Sequence, residues 1–121
     1  MCKHLIFSVL TLFILLSCQK DTTVSCARLP LDSLSIDDAK TWVNEQPSFI
    51  VDKGDSGRSS WIRNIEFYYC EPNYGYLYMS TSSKEYIYEG IPYTLWIEFK
   101  KADSMGRFYN SNIKGQYKRL P

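Results

Sequence analysis

Imidazole is the side chain best matched to proton transfer near neutral pH, and this 121-residue sequence holds one, His4. It stands directly before an apolar run. If that run is a removed signal, the mature chain is left without imidazole, so Ser-His and Cys-His nucleophile systems have no base and a zinc site no histidine to draw on. Paired carboxylates remain: Asp37 beside Asp38, and Glu66 with Glu85 and Glu89 on successive strand-like segments. The first pair falls where a helix begins, and the helix dipole favours acids there without any catalysis. The stretch KGDSGRSS has two glycines. It lacks both a Gly-Lys-Ser/Thr ending and a strand–loop–helix setting, so it reads as a turn rather than a phosphate cradle. These residues predict a protein that is not an enzyme and needs no cofactor or metal.

The four cysteines offer different chemistry. Lys3 and the 12-residue apolar run Leu5 to Leu16 have the charge and length of a secretory signal. A helix that spans a bilayer needs about 20 residues. The run ends in LLSCQKD, which resembles the lipobox of bacterial lipoproteins. That resemblance implies that the signal is cut before Cys18, which is acylated on its sulfur and its new amine. The competing reading is a plain signal peptide or short anchor with a coincidental cysteine. Each buried methylene contributes about 0.8 kcal/mol, so three acyl chains hold a domain on a membrane durably. The expected address is the outer membrane, facing the cell surface or the periplasm. Gln19, Lys20 and Asp21 partly resemble a surface-export signal. Cys2 leaves with the signal, while Cys26 and Cys70 either pair in an oxidising envelope or stay as thiols.

Behind these groups stand the elements that must position them. Basic and acidic side chains number 14 and 13, and losing Lys3 balances them, so net charge argues for no polyanionic partner. The mature chain from Cys18 is one domain's worth. Residues 18–32 are polar and read as a tether, and 33–58 as a helix and strand. Ser35 with Asp38 three residues on marks a helix start, and Pro47 its end. Phe49 to Val51 is a candidate strand.

From Trp61 the pattern shifts to period two. Ile65, Phe67 and Tyr69 alternate with Glu66 and Tyr68, Leu77 and Met79 with Tyr76 and Tyr78, and Tyr86 and Tyr88 with Ile87. Pro92 suits the first position of a second helix, striped by Ile91, Leu95, Phe99 and Ala102, with Gly106 as a C-cap. The last segment, RFYNSNIKGQY, reads as a loop or short strand. The fold class is α+β: a small antiparallel sheet of three strands plus a candidate fourth, packed by the Pro92 helix, with an additional N-terminal helix.

Three stretches of 59–121 resemble the KTSC domain. They are IRNIEFYY with GYLYMS, then Tyr86, Tyr88, Gly90, Ile91 and Pro92. The third runs Ser104, Gly106, Phe108, Asn110, Ile113, Lys114 and Tyr117. The resemblance implies an α+β module with no settled activity, for which RNA binding has been suggested. Tyr86, Tyr88, Pro92, Gly106, Phe108 and Asn110 are then structural, the two tyrosines forming a wall of the core.

Two surfaces are candidates for binding. Tyr68, Tyr76 and Tyr78 point away from the expected helix and predict an exposed aromatic face. Lys100, Lys101, Arg107, Lys114, Lys118 and Arg119 outnumber Asp103, with Phe108, Tyr109 and Tyr117 interleaved, a composition suited to single-stranded nucleic acid. The leading expectation is a non-catalytic, membrane-anchored envelope lipoprotein that binds a protein or glycan. RNA binding through Arg107 and Lys114 is the alternative, and an inhibitor or immunity-type protein a third.

Overall fold

The computed structural model describes residues 26, 28–30, 33–57, 59–71 and 73–121. The signal 1–17, Cys18 and most of the tether lie outside the described residues.

Helix α1 (Ile36–Glu45) starts as its sequence signals. The Ser35 hydroxyl accepts the Asp38 N–H at 3.2 Å and donates to the Asp38 carboxylate at 2.8 Å. Gln46 is already extended, as a residue before proline must be. Four strands follow: β1 (Ile50–Gly54), β2 (Ile62–Tyr69), β3 (Tyr74–Thr81) and β4 (Glu85–Pro92). They pair antiparallel in the order β1-β2-β3-β4, so the candidate fourth strand is an edge strand beside β2. The protein is thus α+β. The outer edge of β4 is covered by the chain end: Glu89 N–H donates to the Lys118 carbonyl at 2.8 Å, and Leu120 N–H to that of Ile87 at 2.9 Å.

Alternation along the strands sorts side chains to two faces. Ile65, Phe67, Leu77, Met79 and Tyr88 share one, and Tyr68, Tyr78 and Ile87 the other. The pairing slips between Ile62 and Asn64, which leaves Arg63 as a bulge. That extra residue puts Ile62 in the same core as Ile65 and turns the charged Arg63 outward.

Helix α2 (Tyr93–Lys101) covers the first face, burying Trp96 and Phe99. Its stripe therefore centres on Trp96, where the sequence spacing put Leu95 and Ala102. Pro92 is the extended N-cap (ψ 140°) and the last residue of β4, not the first helical residue. A strand runs straight into a helix here, and a residue without an N–H loses nothing at the junction.

A third helix, α3 (Met105–Asn112), corrects the expected loop or strand. Ser104 caps it by accepting the Arg107 N–H at 3.3 Å. Met105 and Tyr109, four apart, are buried in the first core, and Ile113 joins them just past its end. Gly106 consequently lies in the first turn of α3 and is not a C-cap.

The opposite face is covered as well. Tyr68 and Tyr78 are 2% and 3% exposed, packed with Ala39 and Val43 of α1 and with Leu29 and Leu120. The expected outward aromatic face is a second core. Burying a valine or leucine side chain contributes about 1.5–3 kcal/mol, and Val43, Leu29 and Leu120 share one buried cluster with the two tyrosines.

Candidate functional site

Two recesses stand at opposite ends of β2, and one gathers residues from both ends of the sequence pattern. It lies between the turn Ser59–Trp61 and the start of α3, and has a volume of about 300 Å³. The turn is held by the Ser59 hydroxyl, which accepts the Ile62 N–H at 3.0 Å. Trp61 is half-buried and meets the Tyr109 ring edge-on at 5.7 Å. Gly106 lets α3 lie against that indole, because a Cβ there would come within 2.5 Å of Trp61 Nε1. Arg107 and Asn110, three residues apart and so on one helix face, are exposed and line the recess with Ser104 and Asp103. The site thus offers an indole face, hydroxyls, an amide, one cation and one carboxylate within a space that fits a small ligand or one unit of a larger one.

Sequence reasoning named Arg107, Gly106 and Asn110 but missed Ser59, Ser60 and Trp61 as their companions. The only signal was the pair of small hydroxyl residues before an aromatic strand start, and it was absorbed into a turn. Lys114 is exposed beyond α3 and does not line the recess.

The other recess, about 310 Å³, lies where β2 ends, against Cys26, Cys70, Phe49, Tyr74 and Tyr76. Cys26 and Cys70 are joined by a disulfide with Cα atoms 5.8 Å apart. Beside it Arg28 pairs with Glu89 at 2.8 Å. The half-buried Tyr76 hydroxyl accepts the Leu29 N–H at 3.0 Å.

The remaining tyrosines do structural work. Tyr68 donates to Glu66 at 2.5 Å and Tyr78 to Glu85 at 2.7 Å. Burial, then the neighbouring carboxylate, raises both phenols, Tyr78 to about 12. Tyr88 and Tyr109 hydrogen-bond each other through their hydroxyls inside the first core. Burial and that bond raise Tyr109 too. Tyr86 is half-buried beneath the Arg119 guanidinium, 5.1 Å from its ring centre.

In the basic C-terminal segment the rings turn inward while Lys101, Arg107, Lys114, Lys118 and Arg119 stay exposed. Lys100 lies 2.7 Å from Asp52, Phe108 stacks on Phe99 at 5.7 Å, and Tyr109 is 4% exposed. Among the described residues no group of three His, Cys, Asp or Glu is placed to hold a metal. Among them, too, no helix is long and apolar enough to cross a membrane.

Residues 77–117 match the family model of the KTSC domain. A solved KTSC domain protein from Yersinia pestis is 28% identical, with 58% of this chain and 94% of its own covered and a TM-score of 0.48. No curated protein matches the chain.

Proposed function

With the match of residues 77–117 to the KTSC domain as premise, we propose a non-catalytic, membrane-anchored envelope lipoprotein that binds a glycan in the Ser59–Trp61/α3 cleft. The observation that carries this reading is the convergence of Gly106, Arg107 and Asn110 with Trp61 and three serines around one polar recess. Sugars present hydroxyls that donate and accept, and serine, asparagine, aspartate and arginine supply both partners at short reach. The indole adds a flat apolar face for a ring. The anchor itself rests on the charged start, the apolar run and LLSC ending at Cys18.

A stacked nucleic-acid strand is the weaker reading. The rings it would need, Phe108 and Tyr109, are engaged in the core, which leaves phosphate contact without base stacking.

The test has two readouts on the full chain. Intact-mass spectrometry of membranes compares wild type with Cys18→Ala, where the acyl mass is expected only in the former. The detergent-solubilised protein is then passed over an array of envelope glycans, with Trp61→Ala and Asn110→Ala alongside. Binding that both substitutions weaken supports the reading. Equal retention by all three proteins, or salt-sensitive binding to single-stranded RNA alone, rejects it.

A further inference from the structure

We propose that the end of the sheet bearing Tyr74 and Ile50 rests on the bilayer, and that the Trp61 cleft at the opposite end is turned away from it. This rests on the lipid-anchored reading above. Tyr74 and Ile50 are 59% and 53% exposed, the large hydrophobic side chains left in solvent among the described residues. They stand at one end of the sheet on its two faces: Ile50 pairs with Tyr69 and shares its face, while Tyr74 is one residue from Gly75, the β3 partner of Tyr69, and so points to the other face. Cys70 follows Tyr69 and is bonded to Cys26. The point where the tether meets the domain therefore lies at this same end.

The length of the tether makes the bilayer the occupant. Eight residue steps separate Cys18 from Cys26, a reach of at most about 29 Å at full extension. A domain of this size has a radius of gyration of about 12–13 Å. The tether is thus no longer than the domain is wide, and its attachment end stays nearest the lipid. The side chains suit that position. Tyrosine places its ring among apolar groups and its hydroxyl in water, as at membrane interfaces, and Ile50 adds apolar area. Arg28 is neutralised by Glu89 at 2.8 Å, and Glu71 is an exposed acid of the same recess. The contact is therefore made by apolar area rather than by attraction to anionic headgroups. Strand β2 spans roughly 26 Å at the usual rise per residue, which sets the cleft that far from the lipid.

The test uses the full chain in its own membranes. Photoreactive p-benzoylphenylalanine is placed at Tyr74, at Ile50 or, on exposed α3, at Ser111, and adducts are read by intact mass after irradiation. All three side chains are exposed, so the fold tolerates the replacement. Lipid adducts several-fold more abundant at 74 and 50 than at 111 are expected. Equal yields at the three positions, on a chain that carries its acyl mass, overturn the membrane contact and leave the anchor standing. Protein adducts in place of lipid ones at 74 and 50 also overturn it. A chain without acyl mass removes both readings, and the same spectrum tells these failures apart.

Discussion

The indole N–H of Trp96 donates to the Asp52 carboxylate at 2.8 Å, and Lys100 reaches the same oxygen at 2.7 Å. One aspartate on edge strand β1 thereby clamps helix α2 to the sheet. Burial works to raise its pKa, but the hydrogen bonds from Lys100 and Trp96 outweigh it and hold the carboxyl below its usual 3.8.

Asp52→Ala strands the Trp96 N–H and should cost about 1–3 kcal/mol, the usual penalty for an orphaned polar group. Asp52→Asn keeps an acceptor and should cost less. Because the folded carboxyl titrates lower than the unfolded one, its stabilisation is present above 3.8 and is lost as pH falls through the lower folded value. Urea unfolding of the two variants and wild type, repeated at acid pH, reads both effects. Equal midpoints for Asp52→Ala and wild type would remove the clamp.

Reduction of Cys26–Cys70, or Cys70→Ser, should lower stability by up to about 4 kcal/mol, the loop-closure value for residues 44 apart. Denaturation curves with and without reductant measure it, and coincident curves would show that the bond contributes nothing.

Buried phenols set the alkaline limit. Tyr68, Tyr78 and Tyr109 titrate above their usual 10 in the fold, with Tyr78 at about 12. A raised folded pKa gives stability that is complete below 10 and is lost as pH climbs through the folded value. Unfolding free energy should therefore decline from pH 10 upward, and the tyrosinate absorbance of these three residues should appear together with unfolding. Tyr68→Phe should flatten that decline, since it removes one titrating group. An unchanged slope would assign the alkaline loss elsewhere.

Gly106→Ala pushes a methyl group into the Trp61 indole. Overpacking of this kind costs about 1–3 kcal/mol unless the neighbour moves. The expected outcome is an altered Trp61 fluorescence and a weaker response in the glycan assay, with helix content retained. Unchanged fluorescence would mean that α3 and the indole are looser than their contact implies.

Much of the fold was legible because its signals are local. Ser35 and Asp38 announce α1, and the alternation of Leu77 and Met79 with Tyr76 and Tyr78 sorts β3 to two faces. The two inward tyrosines, Tyr86 and Tyr88, also fell on the face that α2 covers. What failed was the assignment of cover. Tyrosine is apolar along its ring and polar at its tip, so Tyr68 and Tyr78 read equally well as surface or as core. Only the docking of α1 and Leu120 from distant parts of the chain decides it. Helix α3 was hidden for a nearer reason: Gly106 and Asn110 interrupt a period carried by just Met105, Tyr109 and Ile113. The cleft needs Trp61 beside Gly106, a proximity that belongs to the topology and to no stretch of sequence.

The disulfide encloses α1, β1 and β2 in one covalent ring, and the exposed turn between Gly54 and Ile62 lies inside that ring. A protease that cuts this turn opens a loop without severing the molecule. The two new ends hang free while both pieces stay joined, and the cleft wall at Trp61 stays tethered to the body through Cys70. On a gel such a nicked protein runs as one species until it is reduced and then as two, so cleavage at this turn leaves the domain in one piece.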